Sequence, residues 1–299
     1  MISGKRSHEL HELHECIWKS EFVKFVAAFA FAVIAVSARQ GIAQDKPPVF
    51  QTGTAAAADI PPVRIELGGY YSWVDRGYGE WRGLNADLWF RGNRRFVPGF
   101  LVDSQTRPEG TQQNYSFMSY LNWTPSFYTV QSVSGAPQRS DKAIFFPKIR
   151  ADVKGNWKLT PGKNLVLGTG FTYFDFGRPG KGQIYNVGAL YYHKKLVVEG
   201  NLFINRSQPG ELWSSSGSLA LQYGMEGKYW IGFLASGGQE LYRIEGLTPF
   251  DAHLKSYSVE LSYRRWISRH AGYYFSAILQ EKIDAYRRGG GSARLFFEF

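Results

Sequence analysis

Three histidines crowd the first residues of the chain, and three more lie in its body. The run His8-Glu9-Leu10-His11-Glu12-Leu13-His14-Glu15 is rich in potential metal ligands. Its histidines recur every third residue, whereas the zinc-protease helix needs them four apart to share one face. It also precedes the expected cleavage point, and no metal site is assigned to it. His193 and His270 fall at expected periplasmic turns. His253 falls near the outer rim, close to Asp251, Ser256 and Ser258. Nucleophilic catalysis on an outer-membrane lipid would need that base within hydrogen-bond reach of a hydroxyl, with a third group orienting it. Closeness in sequence does not supply that reach. His253 is read as a solvated loop residue, with a lipid-modifying enzyme as the alternative. The one cysteine, Cys16, lies in the leader, so the chain beyond it has no thiol for a disulfide, a metal or a nucleophile. No catalytic residue, metal or cofactor is expected, and the function is read as non-enzymatic.

The better candidates are basic. Alternation turns most of Arg91, Lys148, Arg150, Lys154, Arg264 and Arg294 inward, where a basic wall would favour anions. Asp87, Asp152, Glu199, Glu260 and Glu298 share those faces. Two readings stand level: an anion-selective path, and an internal network of ion pairs that stiffens and plugs the interior. The formal net charge of +10 suggests contact with phosphate-bearing lipopolysaccharide or anionic polymers, as well as solubility. No Lys/Arg run resembles a nucleic-acid patch, so no nucleic-acid partner is expected.

The elements that would position these residues are strands. At the C-terminus, Phe299, Phe297, Leu295, Ala293 and Gly291 share one face of an extended segment. Glu298, Arg294 and Ser292 share the other, with Phe296 its apolar exception. An apolar-outward, polar-inward last strand closed by a terminal Phe is the pattern of an outer-membrane barrel. It is also the strand by which barrel-assembly machinery would engage the chain. At the other end, Lys19 and Lys24 precede an apolar run of about 14 residues from Phe25 to Ala38, followed by Gly41-Ile42-Ala43. That suits a secretory signal and falls short of the ~20 residues a membrane helix needs. The expected organisation is a leader over 1–43, a Pro/Ala-rich periplasmic linker over 44–61 and a barrel over 62–299. A mean hydropathy of −0.29 does not oppose a membrane barrel, whose polar interior offsets its apolar exterior.

Alternation predicts strands at 63–73, 80–91, 94–105, 113–123, 127–134, 143–157, 164–175, 182–193, 196–207, 212–224, 228–237, 253–266, 271–281 and 290–299. This is an all-β fold, a transmembrane antiparallel barrel of about 14 strands, or 12 if weak segments merge. Short turns are expected after even-numbered strands. Longer outer loops are expected at 106–112, 135–142, 238–252 and 282–289. Two aromatic girdles are expected, with Trp123, Trp157, Trp230, Trp266 and Phe299 at the periplasmic level. Trp81, Tyr115, Phe145, Tyr185 and Trp213 would form the outer one. The alternative to the membrane is a secreted soluble β-protein.

Several stretches carry a family resemblance. They are Tyr71-Ser72-Trp73-Val74-Asp75 with Glu80-Trp81-Arg82, then Phe146-Pro147-Lys148-Ile149-Arg150, Gly170-Phe171-Thr172-Tyr173-Phe174-Asp175-Phe176, and the terminal strand. In this order and spacing, over roughly Tyr70 to Phe299, the chain resembles the YaiO family of outer-membrane β-barrel proteins. The resemblance implies a barrel in a Gram-negative outer membrane, among lipid and lipopolysaccharide, with a pore-like or envelope role. It brings no catalytic residues. A link to polysaccharide systems is suggested by some relatives. The helical repeats that family members can carry before the barrel are absent from this sequence.

Overall fold

Strict alternation over ten or more residues forces one side chain in two to each face of a strand. A sheet with one apolar and one polar face closes most completely as a barrel, which leaves no unpaired edge. The computed structural model describes residues 61–137, 144–159, 161–177, 180–208, 210–244 and 250–299, without the side chains of 240–254. The leader, most of the linker and the side chain of His253 lie outside the described residues.

Fourteen antiparallel strands form one closed barrel in which every strand pairs with its sequence neighbours and the last pairs with the first. They are β1 (Val63–Val74), β2 (Gly79–Phe90), β3 (Phe96–Arg107), β4 (Gly110–Thr124), β5 (Phe127–Gly135), β6 (Ile149–Lys158) and β7 (Leu165–Asp175). Then follow β8 (Lys181–His193), β9 (Leu196–Gln208), β10 (Leu212–Met225), β11 (Tyr229–Ile244), β12 (Phe250–Trp266), β13 (Ala271–Lys282) and β14 (Tyr286–Glu298). The seam joins Arg64 to Glu298 in register, and Val63 and Phe299 exchange backbone hydrogen bonds of 3.2 and 2.9 Å.

The inner face follows from contacts that cross the barrel. Lys154 on β6 reaches Glu199 on β9, and Arg264 on β12 reaches Glu66 on β1. Strands that are not neighbours in a closed sheet can meet only through its interior. From these anchors the pairing registers carry the inward face around the barrel. Outside stand Leu84, Val187, Leu202 and Leu279, each more than 60 % exposed, as lipid contact requires.

Several expectations need correction. The strand expected from 143 begins at Ile149, because Gln112 Oε1 on β4 captures the amides of Phe145 and Phe146 at 2.6 and 2.8 Å and takes them out of any ladder. The expected loop at 106–112 is a tight turn between Arg107 and Gly110. The one expected at 282–289 spans only 283–285. Much of 238–252 is ladder, since β11 and β12 keep pairing as far as Ile244 and Phe250. Length at that end is thus carried by a tall hairpin and by the 136–148 connection. Its position opposite the termini marks it as the outer end.

The girdles also divide differently. Trp123, Trp157, Trp213, Tyr115, Tyr185 and Phe299 are exposed on the outside, whereas Trp81, Trp230 and Trp266 are buried inside at 5–7 % exposure. Phe145 packs on Arg107 at the outer mouth, its ring centre 4.4 Å from the guanidinium.

Candidate functional site: the barrel interior

At the periplasmic end, on the β12–β2 side, charge and aromatic rings fill the interior. Glu66 accepts a forked pair of bonds from Arg264, Nη1 to Oε1 at 2.8 Å and Nη2 to Oε2 at 3.1 Å. Arg64 Nε lies 3.3 Å from Glu66 and 3.1 Å from Glu298, but its N–H is not aligned on either carboxylate, so that attraction is coulombic rather than a directed bond. Glu298 also accepts from Arg91 at 3.0 Å and from the Trp266 indole at 3.2 Å. Arg91 lies in the turn after β2, and its other nitrogen stands 3.8 Å from Glu226. Phe296, fully buried, packs edge-on to Trp266, and the guanidiniums of Arg64 and Arg264 sit over its ring at 4.7 and 4.9 Å. The apolar exception on the inward face of the last strand therefore serves as the platform for two arginines. Gly272 on β13 makes room for it, since a Cβ there would fall 2.2 Å from the Phe296 ring.

Glu226, in the turn between β10 and β11, closes this cluster. Burial pushes its carboxyl above the ordinary glutamate range; Arg64 and Arg91 pull against that shift and Glu298 adds to it.

The other side of the same level is open. A cavity of about 420 Å³ is lined from β4 round to β13 by Tyr120, Tyr128, Tyr192, Glu199, Gln222 and Trp230, among others. Its glycine-lined wall has a purpose. Lys154 runs along β7 where Gly168 and Gly170 stand, and a Cβ at Gly168 would meet the lysine chain at 2.7 Å. With that space free, Lys154 Nζ reaches Glu199 at 3.3 Å and Asn201 at 3.2 Å on β9. Arg264, Trp230 and Tyr274 line the boundary between the filled and open sides.

The remaining expected lumen residues are placed as follows. Arg294 donates to Asp87 at 3.1 Å. Arg150 binds Asp152 at 2.8 Å, and Ser132 and Thr172 also donate to that carboxylate. Glu260 accepts from Tyr274 at 3.3 Å. Lys148 is a correction: it precedes β6 and is exposed at the outer mouth, because its strand starts later than alternation suggested. Five of the six expected cations thus have a carboxylate partner, and the structure brings Arg91, Arg264 and Arg294 towards one side of the barrel.

Sequence reasoning missed Arg64, Glu66, Arg107 and Arg288. Arg107 and Arg288 share the Trp81 ring in the outer half of the interior, at 3.9 and 5.2 Å. Of the histidines, His270 Nδ1 is 2.9 Å from the Glu298 carbonyl, and His193 ends β8 with its ring stacked on Tyr191 of the same strand. Among the described residues, no group of His, Cys, Asp and Glu is arranged to hold a metal ion.

A closed barrel with an apolar belt and a polar interior defines an integral outer-membrane β-barrel protein. The family model of the YaiO membrane beta barrel domain matches residues 63–242, and the chain belongs to that family. Among solved structures, one similar fold is a bacterial polysaccharide outer membrane secretin, at TM-score 0.51 and 6 % identity, covering 81 % of this chain and 99 % of that one. Another is the CymD monoaromatic hydrocarbon channel, at TM-score 0.53 and 9 % identity, covering 81 % and 90 %. A third is an outer membrane channel from Pseudomonas putida F1, at TM-score 0.50 and 6 % identity, covering 85 % and 100 %. At such identities the likeness is one of fold. No curated protein matches the chain significantly.

Proposed function

We propose that this protein is a non-enzymatic, narrow outer-membrane channel for small solutes, whose path follows the β4–β11 side of the lumen. The observation that supports it is the division of the interior: packed ion pairs and rings on one side, an open cavity of about 420 Å³ on the other. The volume lies within the ~300–1,000 Å³ typical of small-molecule sites and suits a solute better than a polymer. Along this path the cations are neutralised in place, Lys154 by Glu199 and Arg264 by Glu66. The wall is therefore polar and aromatic rather than a continuous basic lining, and any charge preference has to arise elsewhere in the lumen.

The test is conductance of the refolded, detergent-purified protein in a planar bilayer at several salt concentrations. Small discrete steps are the expected result. Silence from protein shown to be inserted and folded would discard the channel reading and make the barrel a plugged scaffold.

A further inference from the structure

The arginines on the inward strand faces fall into two groups. Arg64, Arg150, Arg264 and Arg294 each have a carboxylate within 4.0 Å. Arg107 on β3 and Arg288 on β14 have none at that distance among the described residues. Arg107 gives Nε and Nη2 to the same acceptor, Gln105 Oε1, at 3.1 and 2.9 Å, which leaves Nη1 uncommitted among the described residues. Arg288 donates Nε to Ser72 Oγ at 3.1 Å, and among the described residues neither of its terminal nitrogens has a hydrogen-bond partner. Both guanidiniums lie over Trp81, which collects them at one place.

Their surroundings repeat the imbalance. Among the described residues, the Trp81 indole N–H and the Gln112 side-chain N–H2 are buried without acceptors, in residues only 5 % and 4 % exposed. Phe145 covers Arg107 from the mouth, so the local medium is apolar on that side. The outer half of the lumen thus gathers two guanidiniums with no carboxylate within 4.0 Å among the described residues, beside two buried donors that lack an acceptor there. Buried donors left unmet cost free energy that an anion's oxygens would recover, and a guanidinium fork fits carboxylate and phosphate alike.

We propose that Arg107 and Arg288, with Trp81 and Gln112 beside them, form a binding site in the outer lumen for a small free oxyanion, a solute bearing carboxylate or phosphate. The closed strand wall keeps membrane lipid from reaching it sideways, so the ligand is dissolved rather than a headgroup. The site deepens the channel reading by placing the selection of solute charge at the outer mouth. It does not depend on conduction, because binding is measurable in a silent barrel.

The experiment titrates the full refolded protein in detergent at low salt with inorganic phosphate and, separately, with malonate, by calorimetry and tryptophan fluorescence. Saturable binding of at least one anion is expected, with uncharged glucose inert. Arg288→Gln and the Arg107→Gln/Arg288→Gln pair should weaken it by about tenfold or more. Arg150→Gln, outside the site, should leave it unchanged, and Trp81→Phe should remove most of the fluorescence change. Absence of saturable binding to the folded wild type, or unchanged affinity in a folded Arg288→Gln protein, overturns the site. Binding without conductance keeps the site and discards the channel; conductance without binding does the reverse.

Discussion

Glu66 is the residue on which the periplasmic-end cluster turns. Its side chain is 6 % exposed, it takes a fork from Arg264, and Arg64 lies beside it. A buried ion pair contributes little net stability when intact, because desolvation offsets attraction, but removing one partner strands the other charge. Glu66→Gln is therefore expected to cost about 3–5 kcal/mol, seen as a lower urea midpoint for the detergent-embedded barrel. An unchanged midpoint would mean that water reaches both arginines. Glu226 predicts a pH effect of definite sign. Its carboxyl is raised by burial, so the protonated form is the one the fold prefers. Its contribution to stability is present below the ordinary glutamate value and lost as pH rises through the raised one. Glu226→Gln should hence flatten the fall in urea midpoint between mildly acid and neutral pH. An identical pH slope in wild type and variant would count against that burial effect.

At the scale of the element, much was legible from alternation because lipid enforces it. Near mid-membrane an Arg on the lipid face costs about 2–4 kcal/mol, so the period-2 pattern of these strands is seldom broken. Leu202, at the middle of β9 and 70 % exposed, tests this: Leu202→Arg is expected to lower stability by about 2–4 kcal/mol. Ser218→Arg, one strand away and paired with Asn201 on the inner face, should change it far less. Equal losses in the two variants would contradict the assigned faces. The same rule shows why Trp81, Trp230 and Trp266 stand inside rather than in the girdles. Trp266 stands two residues from Arg264, so one strand must turn both the same way, and Trp81 shares parity with Asp87. An aromatic ring at a strand end still follows the face that alternation gives it. The late start of β6 had no comparable signal, since it depends on Gln112 capturing two amides from another strand.

Across the whole molecule, what alternation cannot supply is who meets whom inside. It places Arg264 inward, but the partner Glu66 lies at the far end of the chain, and only the closed strand order brings β12 within reach of β1. The division of the lumen into a filled and an open side is a property of closure alone. It yields a prediction that separates the sides. Ala220 on β10 lines the open cavity and sits between Glu199 and Leu234 in register. Ala220→Trp adds bulk where there is room, so folding should be retained while the path narrows. Single-channel conductance is expected to fall to about half or less, with the urea midpoint nearly unchanged, because filling empty space forces little strain. If conductance instead holds in Ala220→Trp, the current does not pass the β4–β11 side. The ion-pair cluster would then have to open to let solute through, which its burial against Phe296 and Trp266 opposes.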